Sequence, residues 1–268
     1  MRVMNTNPRR PAPQGFTIVE LLVAMTIGLF LTVVIAQLFL GSRATYTTTD
    51  ELSRMQENIR FTHQLFTRVL YLTSYMSAPN SYRERERAPN ASTPVLFEGA
   101  TVGLTGTEGA GTLSDTLTVR FQGSGPAGAP DGNITDCLGR PIDAPTIAVN
   151  IFSVGVNGGL LCDNGQGGGP IEVVPDVQAM QILYGEDTEP WKERDGTVNR
   201  FVPFSGLSSP DRVVAVRVAL LFQTPGTQAN VAVDGRTYDL NGVVLGPYND
   251  TRLRRTVTMT FALRNRTN

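Results

Sequence analysis

The amino-terminal part of the chain reads Gln14-Gly15-Phe16-Thr17-Ile18-Val19-Glu20 and leads directly into a long apolar run. Between Phe16 and Ser42 the only charged residue is Glu20. A charged side chain at the centre of a membrane helix costs about 2.5–3.5 kcal/mol on insertion scales, so it is rarely found there without a function. The position of Glu20 therefore predicts a specific role and a charged partner.

The apolar run extends from Leu21 to Leu40 and contains only three polar side chains, Thr26, Thr32 and Gln37. Twenty helical residues at about 1.5 Å each span roughly 30 Å, the thickness of a bilayer's hydrocarbon core. The preceding leader, residues 1–15, carries three arginines and no acid, which predicts a cytoplasmic amino terminus. The rest of the chain would then lie outside the inner membrane.

Two other kinds of amino-terminal segment are alternatives. A secretory signal peptide has an apolar core of about 7–15 residues followed by a small-residue cleavage site. Here the apolar run is longer, and Gly15 lies before it. A plain membrane anchor fits the run but has no use for Glu20, unless that carboxylate simply reaches the headgroups from the start of the helix.

The pattern Gly15-Phe16-Thr17, with Glu20-Leu21 ahead of an uninterrupted apolar helix, resembles the class III leader of type IV prepilins. The resemblance implies cleavage between Gly15 and Phe16, methylation of the new amino terminus at Phe16, and an acid at the fifth position of the mature chain. In a filament of parallel helices, Glu20 of one subunit would pair with the Phe16 amine of a neighbour. Two buried charges that are costly apart become tolerable together.

Composition limits the function classes. The formal net charge of −1 argues against bulk nucleic-acid binding. Twenty-seven glycines and seventeen prolines indicate a loop-rich, mostly β domain. Positive charge is concentrated near the carboxyl terminus, for which we expect salt bridges within the domain or to other subunits, with DNA contact as the alternative; the residues are Arg252, Arg254, Arg255, Arg264 and Arg266.

The two cysteines, Cys137 and Cys162, predict one disulfide in a periplasmic domain, closing a loop through the glycine-rich stretch 157–170. Two thiolates and the single histidine, His63, do not make a zinc site. The oxygen-rich stretch Asp131–Asp136 lacks the spacing of an EF-hand and predicts a solvated turn rather than a calcium site. Since no catalytic triad or phosphate-binding loop is present, we expect no enzyme activity, cofactor or small-molecule substrate.

Beyond the anchor, apolar residues recur at helical spacing and predict an amphipathic helix from Asp50 to about Met76; they are Leu52, Met55, Ile59, Phe66 and Val69. Seven β-strands are predicted next: Pro94–Glu98, Thr116–Gln122, Thr146–Val156, Val177–Tyr184, Arg212–Gln223, Val231–Leu240 (turning at Asp234-Gly235) and Arg254–Leu263. Alternation in the fifth and last of these favours an antiparallel sheet with one face packed on the helix. A long helix followed by strands indicates an α+β, pilin-like fold.

Two further stretches resemble the PilW-type minor pilins: Ser53–Asn58 with Arg60-Phe61, and Arg252–Arg255 leading to Ala262–Arg266. The resemblance implies a protein that helps initiate type IV pilus assembly near the pilus tip, with other minor pilins, the major pilin, the prepilin peptidase and the inner-membrane assembly platform as partners. J-type pseudopilins of type II secretion share the architecture and are an alternative. A membrane-anchored periplasmic enzyme or binding protein is a third.

The predicted organisation has four parts. The leader comprises residues 1–15, the membrane-spanning half of the stem helix 16–41, its amphipathic half 42–78, and the periplasmic β-rich domain 79–268.

Overall fold

A computed structural model of the chain describes residues 15–76, 103–111, 113–144, 146–190, 192–227 and 232–266. The predicted leader, apart from Gly15, and the predicted strand Pro94–Glu98 lie outside these residues. The described chain divides into two compact units, with the boundary between Thr48 and Thr49.

One long helix precedes all the strands. Helix α1 runs from Ile18 to Tyr71. The strands are β1 (Leu104–Thr107), β2 (Thr116–Gln122), β3 (Ile147–Val154), β4 (Leu160–Asp163), β5 (Ile171–Val174), β6 (Val177–Glu186), β7 (Arg200–Val202), β8 (Val213–Gln223), β9 (Tyr238–Leu240), β10 (Val243–Leu245) and β11 (Arg254–Ala262). Short 3-10 helices occupy Phe204–Gly206, Pro210–Arg212 and Arg264–Arg266.

The described strands form two larger sheets and a hairpin, and every strand pair is antiparallel. Strands β1 to β5 form a meander in chain order, whereas the second sheet has the order β11-β8-β6-β7. The hairpin consists of β9 and β10. The prediction of an α+β fold with a long amino-terminal helix and antiparallel sheets is confirmed.

The last five turns of α1 pack into the core that both sheets share. Phe66 is fully buried, and its ring centroid lies 4.9 Å from that of Phe152 in β3 and 6.1 Å from that of Phe261 in β11. Met55 and Val69 are also buried, as the amphipathic pattern predicts. Leu52, at the edge of the predicted face, is exposed instead.

Helix α1 ends at Tyr71 rather than at the predicted Met76. After it, Ser74 adopts a left-handed backbone conformation with φ of 62°. Its N–H donates to the Arg120 carbonyl at 3.0 Å, and the Gln122 N–H donates to the Tyr75 carbonyl at 2.8 Å. The chain leaves the helix early because residues 74 and 75 hydrogen-bond to β2.

Most predicted strands appear within one or two residues of the expected bounds. The prediction at Val231–Leu240 is wrong for most of its length, because residues 232–237 form no strand and β9 occupies only Tyr238–Leu240. The hairpin turns at Asn241-Gly242, whose φ angles of 53° and 95° are the left-handed values that a tight hairpin turn requires. No strand is predicted at β1, β4, β5, β7 or β10.

At β6 and β8 the four-stranded sheet is covered on both faces, not on one as predicted, whereas β11 keeps an exposed outer face with Thr256, Thr258 and Thr260. Met180, Val218 and Leu220 face the core beneath α1. On the opposite face, apolar residues of β6 and β8 pack against the β9–β10 hairpin: Ala179, Ala219 and Leu221 against Tyr238, Leu240 and Leu245. Both faces of β8 are apolar, so neither is left to solvent.

A disulfide joins Cys137 to Cys162, whose Cα atoms are 6.4 Å apart. It connects the segment between β2 and β3, which contains Cys137, to strand β4, which contains Cys162. The closed loop contains all of β3 and reaches only the beginning of the glycine-rich stretch 157–170, through which it was expected to pass.

Candidate assembly segment at the start of helix α1

The first turn of α1 is closed by a reciprocal pair of side chains. The Glu20 carboxylate accepts hydrogen bonds at Oε2 from the Thr17 backbone N–H and from the Thr17 hydroxyl, both at 3.0 Å. In return, the Glu20 N–H donates to Thr17 Oγ1 at 3.3 Å. Such a capping box satisfies backbone N–H groups that have no partner within the helix.

The cap draws on only one oxygen of the carboxylate. Among the residues that the structure describes, Glu20 Oε1 accepts no hydrogen bond and no cation forms an ion pair with Glu20. The charge of Glu20 is thus held at a fixed place on the helix without being neutralised there.

Thr17 is a site residue that the sequence analysis missed. A Thr followed three positions later by Glu, immediately before an apolar run, is a known signature of a helix start, and Thr17 and Glu20 have this spacing. Both residues lie after the Gly15–Phe16 bond, so cleavage of that bond would leave the capping box intact.

The helix that follows is long and apolar enough to cross a membrane, and the apolar side chains of its run from Leu21 to Leu40 are exposed. Its polar hydroxyls are satisfied within the helix itself. Thr26 donates to the Val23 carbonyl at 2.9 Å, and Thr32 donates to the Gly28 carbonyl at 2.8 Å. Such bonds remove the cost of placing a hydroxyl in hydrocarbon.

Of the five carboxyl-terminal arginines, Arg254 forms the expected intradomain salt bridges among the described residues. Arg254 is buried and forms two hydrogen bonds of 2.7 Å to the Asp250 carboxylate and one of 3.2 Å to buried Asp234. Its guanidinium also lies 3.9 Å from the ring centroid of Tyr248. The hydrogen bonds from Arg254 hold the pKa of Asp250 at about 2.

The segment after β11 closes the other end of α1. Asn265 donates from Nδ2 to the carbonyls of Tyr71 and Thr73, both at 3.1 Å. The neighbouring Arg266 donates from Nε to Ser74 Oγ at 2.9 Å, and the Arg264 guanidinium lies 4.4 Å from the Tyr71 ring centroid. The residues that resembled PilW near the carboxyl terminus thus cap the helix.

Two groups of acidic side chains offer several carboxylate oxygens close together, but their hydrogen bonds account for their geometry. Asp131 accepts hydrogen bonds from Ser124 and from the backbone and side chain of Asn133, as expected for a solvated turn. The carboxylate oxygens of Asp187, Glu189 and Asp195 lie within 4.8 Å of one another. Both oxygens of Asp187 already accept backbone N–H bonds, from residues 189 and 196, so its geometry is explained by the loop.

Two family models match parts of this chain. A family model described as type IV pilus-assembly protein W, PilW, matches residues 152–265, and the prokaryotic N-terminal methylation motif matches residues 10–36. A solved type IV-like pilin from Thermus thermophilus is 19% identical with a TM-score of 0.43, over 80% of this chain and 98% of that chain. Curated protein sequences give no significant match.

The two family matches define a membrane-anchored type IV pilin, because the methylation motif covers the start of the exposed apolar helix. The matches to PilW over residues 152–265 and to the methylation motif over residues 10–36 support a type IV pilus minor pilin of the PilW family. The pilin family and fold are structural rather than enzymatic, and a pilin interacts with other components of the pilus.

Proposed function

We propose that this minor pilin helps to initiate type IV pilus assembly and sits at or near the pilus tip. Its partners would be other minor pilins, the major pilin, the prepilin peptidase and the inner-membrane assembly platform. Before assembly the protein would cross the inner membrane once, with the β-rich domain in the periplasm. The match to PilW supports this role, and no observation favours a J-type pseudopilin.

The proposed processing begins with cleavage between Gly15 and Phe16, followed by methylation of the Phe16 amine. Residues 1–15 are then the leader, 16–41 the membrane-spanning half of the stem, 42–78 its amphipathic half, and 79–268 the periplasmic domain. The methylation-motif match spans the proposed cleavage point and the start of the apolar helix.

The single observation that carries the assembly mechanism is the way Glu20 is held. Its carboxylate is oriented by the Thr17 cap through Oε2, and among the described residues nothing engages Oε1. We assign Oε1 to the Phe16 amine of a neighbouring subunit. The ion pair would form as the subunit leaves the bilayer, and it would fix the register between adjacent helices because each charge is costly in lipid without the other.

Three substitutions separate the charge of Glu20 from its role in the cap. Glu20→Gln keeps an acceptor for the Thr17 hydrogen bonds but removes the charge, Thr17→Val removes the hydroxyl but keeps the charge, and Glu20→Ala removes both functions of the carboxylate. If pairing with the amine drives incorporation, both Glu20 variants should lose piliation while Thr17→Val retains most of it. The measurement is the number of surface pili in a deletion strain complemented with each variant.

Processing and membrane levels are the controls, because all three variants keep Gly15 and Phe16 and should be cleaved normally. Normal piliation in the Glu20→Gln strain would contradict the charge-pairing mechanism, and the role of Glu20 would then be limited to capping the helix. A deletion strain that makes normal pili without complementation would contradict the role in assembly altogether.

A further inference from the structure

An open groove of about 460 Å³ lies where α1 passes the disulfide loop and β5. Its apolar lining includes two large side chains that are well exposed, Phe61 at 50% and Ile171 at 44%. The remaining lining residues are Arg68, Cys137, Leu138, Gly139, Arg140 and Val173. All of them belong to the compact unit that begins at Thr49.

The charged residues that line the groove, Arg68 and Arg140, are both cationic. Among the described residues, Arg68 donates to one backbone oxygen, the Asp136 carbonyl at 3.3 Å. Within the described parts of the chain, neither arginine forms an ion pair. A guanidinium binds a carboxylate through charge-assisted, often bidentate hydrogen bonds, and no described residue of the lining supplies one.

Asp136, next to the lining residue Cys137, is already occupied in holding the groove's wall. The buried Asp136 carboxylate accepts hydrogen bonds from the backbone N–H groups of Leu138 and Arg140, at 2.9 and 2.8 Å. It also accepts one of 2.8 Å from Asn164 Nδ2. Together with the Cys137–Cys162 disulfide, these bonds fix the loop, and a preformed wall lowers the entropy cost of binding.

We propose that this groove is a docking site for a segment of a neighbouring pilus subunit. The segment would place an Asp or Glu carboxylate on Arg68 and Arg140, and a large apolar side chain against Phe61 and Ile171. Aromatic and arginine side chains that bury a partner's anchor carry most of the energy of protein interfaces. The choice of a pilus subunit as the partner rests on the proposed function, whereas the acidic and apolar character of the segment rests on the groove.

The test places a photocrosslinking amino acid at Ile171 in the full-length protein, in cells that are assembling pili. We expect a crosslink to another pilus subunit, with the crosslinked peptide containing an acid beside a large apolar residue. Adding Arg140→Glu should reduce the crosslink yield by about tenfold, because a charge-assisted pair is replaced by repulsion. Phe61→Ala should reduce it as well, through the apolar part of the groove.

Arg255→Glu is the matched control, since Arg255 is an exposed arginine on β11 that does not line the groove; its crosslink yield should equal that of the parent. A charge reversal in the partner should compensate for Arg140→Glu: when the acid in the crosslinked peptide is changed to Arg, the crosslink to the Arg140→Glu variant should be restored. Protease resistance of the domain checks that each variant is folded.

Crosslinks confined to the chain itself, or directed to proteins outside the pilus, would overturn the proposal. So would a pilin crosslink that Arg140→Glu leaves unchanged. Failure of the docking site can be told apart from failure of the proposed function. If deletion of the gene abolishes piliation, but the groove variants assemble normal pili and no crosslink to another pilin forms, only the docking site is contradicted.

Discussion

The two ends of helix α1 are completed in different ways. At the start, Thr17 and Glu20, three residues apart, cap the helix with each other. At the end, the cap comes from Asn265, which is 194 residues from the Tyr71 carbonyl that it binds. The early part of the helix is therefore complete in itself, whereas the late part depends on the folded domain.

Burial follows the same division. Leu29 and Phe30, in the early part, are 70% and 69% exposed, whereas Phe66 and Leu70 are fully buried. Substitutions near the start of α1 should consequently affect membrane insertion and assembly, and substitutions near its end should affect the stability of the domain. The predictions that follow test this separation.

Phe66→Ala should give the largest loss of stability, because the ring contacts aromatic rings from both sheets. Truncating a buried Phe costs about 3–5 kcal/mol. Denaturant unfolding of the full-length protein in detergent micelles measures the loss. Leu29→Ala is the control and should shift the unfolding free energy of the domain by less than about 0.5 kcal/mol; equal losses in both variants would contradict the separation.

Arg254→Met and Glu20→Ala together compare a charge that is paired within the domain with a charge that has no ion-pair partner among the described residues. The Arg254 substitution removes the buried guanidinium that pairs with Asp234 and leaves the mostly exposed Arg236 as its ion-pair partner among the described residues. Removal of one partner from a buried pair costs about 3–5 kcal/mol. Glu20→Ala should not change the same unfolding free energy, since Glu20 has no ion-pair partner among the described residues. A stable Arg254→Met domain would show that the ion cluster does not hold the sheet to its hairpin.

The same cluster predicts a dependence on pH. The Arg254 hydrogen bonds lower the pKa of Asp250 from 3.8 to about 2. A carboxylate whose pKa is lower in the folded state stabilises the fold above its unfolded pKa, and that contribution is lost as the pH falls through the folded pKa. The domain should lose stability between about pH 4 and pH 2, and Asp250→Asn should lose less over this window in parallel unfolding titrations. Equal slopes would exclude Asp250 as a contributor.

Asn265→Ala should have the smallest effect, a loss of about 1–2 kcal/mol, because two neutral hydrogen bonds to helix carbonyls disappear. Thr17→Ala makes the corresponding change at the start of the helix and should leave the domain unchanged. Hydrogen exchange sharpens the comparison: Asn265→Ala should increase exchange in the last turns of α1, and Thr17→Ala should increase it only in the first.

Elements with a strong local pattern could be predicted from sequence. The alternating strand β8 and the apolar face carrying Phe66 are examples, as is the membrane-length run after Glu20. The hairpin was misplaced because Asp234-Gly235 gives a turn signal, yet Asp234 is used by Arg254, Arg236 and Tyr238. Asn241-Gly242 was the stronger signal, since both positions tolerate the left-handed conformation.

The candidate site divides similarly. Glu20 could be predicted because an acid in an apolar run is costly, and Thr17 could have been found from its spacing to Glu20. The partners of Arg254 could not, because Gln178 and Asp234 lie 76 and 20 residues away and only the register of the sheet brings them together. The groove between α1 and the disulfide loop also depends on tertiary packing, which local patterns do not encode.

The most direct test of the early part of α1 as an assembly segment is mass spectrometry of the amino terminus, on protein isolated from cells with an active prepilin peptidase. The predicted result is a mature chain that begins at methylated Phe16 and carries Glu20 as its fifth residue. A chain that retains residues 1–15 in those cells would contradict the assignment, because the Phe16 amine that Glu20 is proposed to bind would not exist.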